Sequence, residues 1–542
     1  MAWWSSRARP PRSWATRSKS APKRSWPASG IEGRLTRAQG SAGRLVAVEP
    51  AKPTPLIVQT VTAPTPAPLT DSLVASSHVV ATTDGDLRYT AHTGRIVLRD
   101  DDVADGVFGG RSDRAQLGVT AYTLDDADVT DRPVTFCFNG GPGSASIWLH
   151  LGLVGPRIID IGDVDDIARP PYRLKDNAHT LLRATDLVII DAMSTGYSQA
   201  AEGRKAKDWH GWKADVDQFT ELIRLWCTRW DRWMSPKFIL GESYGTIRGV
   251  SVAQQLQDKH GLYLNGIVLL SSVLDFGTQD FDNPRWDEAS LHFLPSYAAI
   301  AWYHGKHPGR TLDEVRAEAE QFADGPYRLA LAKGRRLALD ERSRVASTLA
   351  RLTGLPQRYV ELTRLRIEHE RFCAELLRDE GLLVGRIDGR FTGPAASGTE
   401  ELMDTDPSGD ATVGAFTAAL HHYLRTELGS TEEMPYQVSA NLWRDWSYAE
   451  FQGRPVSVAD QLERLMRANP AFQVRIEYGY YDLATPYFAA QDMVDHLRLP
   501  DAAFERITHA YYATGHMPYL HPASRVRESD EQCAWIRASS GR

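Results

Sequence analysis

The hydrophobic pattern changes period several times along this chain. Residues 87–100, LRYTAHTGRIVLRD, and 117–126, LGVTAYTLDD, alternate apolar and polar positions and are rich in β-branched residues. That is the period of strands joined as hairpins. Two short apolar runs follow, VTFCF at 134–138 and LVII at 187–190, each of a length and bounding that suit a buried strand. The spacing then turns to threes and fours. Trp212, Val216, Phe219, Ile223 and Trp226 fall on one face of a helix over 208–230. Strand KFIL (237–240), helix TIRGVSVAQQLQDKH (246–260) and strand LNGIVLLSSV (264–273) come next. Strand–helix alternation predicts an α/β protein whose central sheet is mostly parallel, with crossover helices and a working edge at the carboxyl ends of its strands.

From about 280 to 440 the strand period disappears, and charged helical segments such as 312–352 take over. We read this stretch as a helical cap inserted into the sheet domain. Strand texture returns with FQVRIEYGYYD (472–482), and a last helix is expected near 530–538. The expected organisation is therefore a core in two parts, 72–279 and 441–542, around a cap at 280–440. Residues 1–71, a basic leader and a Pro/Thr-rich linker, are expected to be disordered.

Composition narrows the classes. Of 542 residues, 42% are hydrophobic and 24% charged, the balance of a globular protein with a full-sized core. Net charge is −7, but residues 1–44 hold ten basic residues and one acidic, which leaves about −16 on the rest. An acidic body argues against nucleic acid as a partner. The leader has no apolar run long enough for a secretory signal, so a cytoplasmic location is favoured over export. The uncharged stretch Pro133–Pro156 is broken by glycines and prolines, so no transmembrane segment is expected. Cys137, Cys227, Cys373 and Cys533 show neither metal-ligand nor disulfide-framework spacing, and no metal or other cofactor is expected.

The chemistry centres on GESYG, residues 241–245, between strand and helix. G-x-S-x-G in that context is a nucleophile elbow, with glycines where side chains would clash and helix N–H groups facing developing negative charge. Ser243 is the candidate nucleophile. It needs a base, and the base an acid, in the chain order Ser, Asp or Glu, His. Asp482 ends a late apolar strand. Four histidines follow it: His496 in a helical run, His509 inside a strand, His521 in an exposed-looking segment, and His516 in a glycine-marked loop after a strand. His516 is the candidate base. For the oxyanion, one donor is the amide of Tyr244, and FNGGPGSAS (138–146) offers Gly141 as the other. The bland reading of that loop is a tight turn.

These stretches together resemble the serine carboxypeptidase family. They are Asn139–Ser146 (NGGPGSAS), Gly241–Gly245 (GESYG), Tyr478–Asp482 (YGYYD) and Gly515–Met517 (GHM), in the family's order along roughly 75–540. Ile147–Gly152 and VGRIDGRFTG (384–393) are similar to its bacterial branch. The resemblance implies an α/β-hydrolase fold, removal of C-terminal residues from peptides or proteins, Ser243–His516–Asp482 as the triad, and Gly141 and Tyr244 as oxyanion donors. It also implies that Asn139, Gly140 and Glu242 bind the substrate's terminal carboxylate. Two carboxyl groups that close cannot both ionise, so an acidic optimum is expected. Three departures stand out. Leu153 occupies the position of the family's second carboxylate-binding acid, Ser144 that of a disulfide cysteine, and DAMSTGYS (191–198) lacks a proline and a glycine of the family pattern. The competing readings are an esterase or acyltransferase on the same triad, and a catalytically silent binding module.

Overall fold

In the computed structural model, residues 69–282 and 286–541 are described. The leader and most of the linker, to residue 68, lie outside them. Among the described residues nine strands form the main path of the central sheet: β1 (Ser72–Thr82), β2 (Gly85–Ala104), β3 (Val107–Leu124), β4 (Val134–Phe138), β5 (Asp186–Ile190), β6 (Lys237–Glu242), β7 (Gly266–Leu270), β8 (Gln473–Gly479) and β9 (Ile507–Tyr512). Their order across the sheet is β1-β2-β3-β5-β4-β6-β7-β8-β9, and the two-residue segment Gln199–Ala200 also pairs with β3. From β5 to β9 every pairing is parallel, while β1 to β3 form an antiparallel meander whose last strand pairs antiparallel with β5. This is the expected α/β-hydrolase arrangement. The alternating runs at 87–100 and 117–126 fall in β2 and β3, which are longer than their pattern indicated, and β1 precedes them.

The parallel strands are apolar on both faces because both are covered. Ile239, Ile267 and Leu269 point into one core, with Val216, Phe219 and Ile223 of α1 (Trp212–Arg229) and Ile247 and Val250 of α2 (Tyr244–His260). Their neighbours Phe238, Leu240, Val268 and Leu270 point into the other. There they meet Ile147–Val154, Phe416 and Leu420 of α4 (Pro407–Thr426), and Trp535 and Ile536 of α5 (Pro522–Ser539). The helical segment between β7 and β8 has a core of its own, built from Leu294, Tyr297, Ile300, Val345, Leu349, Phe372 of α3 (His369–Glu375) and Val384. Tyr481 and Leu483 reach into that core from the loop after β8. Helix α4, inside the expected cap range, packs on the sheet side instead.

Candidate active site

The sequence-selected residues converge at the carboxyl ends of the parallel strands. Asn139–Gly141 follow β4, Ser243 follows β6, and Asp482 and His516 lie three and four residues past β8 and β9. Ser243 has φ 62° and ψ −130°, a backbone conformation that costs a non-glycine residue about 1–3 kcal/mol. The elbow persists because its surroundings leave no alternative. A Cβ on Gly241 would stand 2.3 Å from the Gly245 carbonyl oxygen, and one on Gly140 would stand 2.5 Å from the Tyr244 nitrogen. The loop after β4 is thus seated on the elbow's own backbone. Gly141 sits at φ 114°, and among the described residues neither its amide nor that of Tyr244 finds an acceptor.

Asp482 and His516 form the tightest part of the site. His516 Nδ1 lies 2.7 Å from Asp482 Oδ2, and both residues are buried. Asp482 also accepts from the amides of Ala484 (2.7 Å) and Thr485 (3.0 Å) and from the Thr485 hydroxyl (2.8 Å). The glycines of the two motifs explain how their loops meet. A Cβ on Gly479 would lie 1.9 Å from the Gly515 carbonyl oxygen, so the strand ends touch backbone to backbone. His516 is then tied to the elbow side. Ser271 Oγ donates to its carbonyl (2.6 Å), while the carbonyl of the preceding Leu270 accepts from Ser243 N–H (3.0 Å). With Nδ1 engaged by Asp482, Nε2 is the ring nitrogen left to serve a hydroxyl. Among the described residues no hydrogen bond joins Ser243 Oγ to that ring, a link that commonly tightens only when substrate binds.

The other histidines have different occupations. His496 ends a helix, with its side chain 76% exposed. His509 stacks on Tyr478 inside the sheet, and His521 caps α5 by accepting from Ser524 N–H.

Glu242 is buried, and the Tyr519 hydroxyl donates to its Oε2 at 2.7 Å, with the Asn139 side chain beside both. Burial pushes its carboxyl up to about 7, against the opposing pull of His516 and its hydrogen bonds. The His516 ring is raised overall: burial alone would lower it, but the charge and hydrogen bond of Asp482, with Glu242, outweigh that. Leu153 is sealed in the apolar core. A Cβ on neighbouring Gly152 would meet the Tyr519 ring at 2.5 Å, so Tyr519 lies beside the position of the missing acid and brings a hydroxyl to Glu242.

Several supports were not legible in the sequence. Asp191 accepts from Ser146 N–H (2.8 Å) and the Tyr436 hydroxyl (2.9 Å), which anchors the far end of the NGGPGSAS loop. Arg248, on α2, donates to Asp215 Oδ2 (2.7 Å) and to the Asn139 carbonyl (2.6 Å), wholly buried against the Phe219 ring. Ser144, in the place of the family's cysteine, accepts from the Trp148 indole at 3.3 Å. All four cysteines are buried and free. Among the described residues no group of three or more His, Cys, Asp or Glu is placed to hold a metal, and no helix is long and apolar enough to cross a membrane.

Residues 122–288 match the family model described as serine carboxypeptidase, a range that includes the loop after β4 and the elbow. The chain is a serine hydrolase. The hydrolase matches no curated protein sequence. Solved structures similar to it include a proline iminopeptidase from Mycobacterium smegmatis (14% identity, 86% of this chain and 99% of that one, TM-score 0.34). A thermophilic esterase from Thermogutta terrifontis is similar at 12% identity over 86% and 99% of the two chains, TM-score 0.33. A monoacylglycerol lipase from Paleococcus ferrophilus is similar at 12% identity over 78% and 99%, TM-score 0.31.

Proposed function

We propose that the hydrolase is a serine-type carboxypeptidase that releases C-terminal residues through an acyl-enzyme on Ser243. In this reading His516 takes the Ser243 proton as Oγ attacks the scissile carbonyl, and Asp482 holds the imidazole in the required tautomer. The Gly141 and Tyr244 amides receive the oxyanion. His516 then passes its proton to the departing amine, and water repeats the sequence to release the acid. The observation that carries the peptidase reading is Glu242. It is a buried carboxyl raised to about 7, next in sequence to Ser243 and beside Asn139, able in its protonated form to donate to a substrate carboxylate.

One observation favours the esterase or acyltransferase reading. The Tyr519 hydroxyl already occupies Glu242, and Leu153 offers no second acid. Comparing a blocked dipeptide with its ester analogue decides between them: a measurable peptide rate supports the carboxypeptidase, and ester turnover with no peptide cleavage overturns it.

The pH profile gives a second test. Below about 7 Glu242 keeps its proton and can donate; above it the carboxylate repels the substrate's own. His516 acts as base only when neutral, so its raised pKa removes activity as pH falls. The expected acidic optimum therefore moves toward neutrality. For a peptide with a free carboxylate, kcat/KM is expected to fall on both sides, with an alkaline limb near 7. For a neutral ester only the acid limb should remain, and Glu242→Gln should flatten the alkaline limb for peptides. An alkaline limb unchanged in that variant would exclude Glu242 as its source.

A further inference from the structure

The segment VGRIDGRFTG (384–393) reaches the site from the helical part of the chain and is clamped between the loops carrying Asp482 and His516. Leu483 N–H donates to the Arg386 carbonyl (3.0 Å) and His516 N–H to the Ile387 carbonyl (2.7 Å). Gly389 N–H donates to the Tyr481 carbonyl (2.9 Å), and Gly515 N–H to Asp388 Oδ2 (3.1 Å). Four consecutive residues are thereby held in fixed register against the two loops.

Arg386 is the anomaly in this segment. It is only 5% exposed, yet among the described residues its guanidinium makes no hydrogen bond or ion pair. None of its nitrogens is among the sealed, unpartnered polar atoms, so the little surface it keeps includes the charged head. The carboxylates of Asp388 and Asp406 are committed elsewhere. Asp388 pairs with Arg390 at 2.6 Å, and Asp406 accepts from Ile387 N–H at 3.0 Å. Its charge is felt by His516 and by His369, Glu370 and Cys373 of α3, but Glu370, the one acid among them besides the thiol, makes no ion pair with it. A guanidinium so nearly enclosed and without a protein partner is costly and calls for an explanation, and a ligand that supplies the opposite charge is one.

We propose that Arg386 is a substrate-recognition residue that pairs with a carboxylate of the substrate, supplying the positive charge that Glu242 and Leu153 do not. The inference deepens the carboxypeptidase reading and rests on it for peptides. The carboxylate could be the terminal one, on the leaving-group side, or an acidic side chain on the acyl side. Two ester pairs separate these sources without requiring peptide cleavage. On the leaving-group side the pair is the acetyl esters of para-hydroxybenzoate and para-hydroxybenzamide. On the acyl side it is para-nitrophenyl hemisuccinate and para-nitrophenyl butyrate. Each gives a ratio of kcat/KM, carboxylate over neutral, and a ratio taken in one sample cancels any loss of folded enzyme.

The unaltered enzyme should favour the carboxylate ester in one arm, and Arg386→Met should lower that ratio by about 10- to 100-fold, the range for a charge-assisted hydrogen bond. Arg386→Lys, which keeps the charge but loses the planar fork, should fall between and serves if the methionine variant yields no active protein. Preference for the neutral ester in both arms of the unaltered enzyme overturns the proposal, as does an unchanged ratio in either variant. If peptides resist cleavage while an ester ratio falls, the peptidase reading fails and the arginine stands; peptide cleavage with unchanged ratios means the reverse.

Discussion

Ser243→Ala is expected to lower kcat/KM for ester and peptide substrates by about 10,000-fold or more, with no loss of folded protein. Alanine leaves the backbone demand of the elbow as it was, because φ 62° is set by the contacts of Gly241, Gly245 and Gly140 and not by the hydroxyl. What is lost is the attacking oxygen. His516→Ala should cost a similar factor, since without a base the hydroxyl remains a poor nucleophile. The double variant should be scarcely worse than either single, because groups that act as one unit are not additive. Active-site labelling with a fluorophosphonate, followed by intact mass, gives an independent reading: one adduct on the unaltered chain and none on the alanine variant. A Ser243→Ala protein keeping more than about a tenth of its activity would remove this serine from the mechanism.

The second large effect is on stability. Asp215→Ala should destabilise the fold by about 3–5 kcal/mol, the cost of stripping one partner from a buried ion pair. Arg248 and Asp215 are both fully buried and linked at 2.7 Å, so removing the carboxylate leaves a guanidinium with no water to receive it. The arginine also holds the Asn139 carbonyl, so the loop after β4 should loosen and activity fall with stability. The sign of the double replacement is informative. Asp215→Leu with Arg248→Met removes both charges, and it should recover part of the loss, because what is costly is the unpaired charge. Urea unfolding of the three proteins checks the order; a double variant less stable than Asp215→Ala would show that the pair contributes through more than its mutual compensation.

The reach of local pattern is clear from particular residues. GESYG could be read as an elbow because its constraint is local: strand, strained serine and helix are consecutive, and the glycines that permit the turn lie in the same pentapeptide. His516 could be chosen over His496, His509 and His521 for a similar reason, since a glycine-marked loop after a strand is a local signal. Tyr519, only three residues further on, could not be assigned. Its hydroxyl matters because a chain segment 277 residues away presents Glu242 to it. Asp191 and the Arg248–Asp215 pair were hidden for the same reason. Helix α4 falls inside the charged helical stretch of the sequence, yet its apolar face was claimed by Ile147–Val154 and not by the cap.

By itself the sequence determined the alternation of strands and helices, the identity of the turn, and the chemical types available at the strand ends, because each follows from the period of side chains over a few turns or pleats. Only the tertiary structure decided which of those groups are buried, which are paired and which are left charged without a partner. Burial sets whether Glu242 keeps its proton, and packing sets whether Arg386 finds a carboxylate in its own chain. Both depend on residues brought together across hundreds of positions, and no local pattern records them.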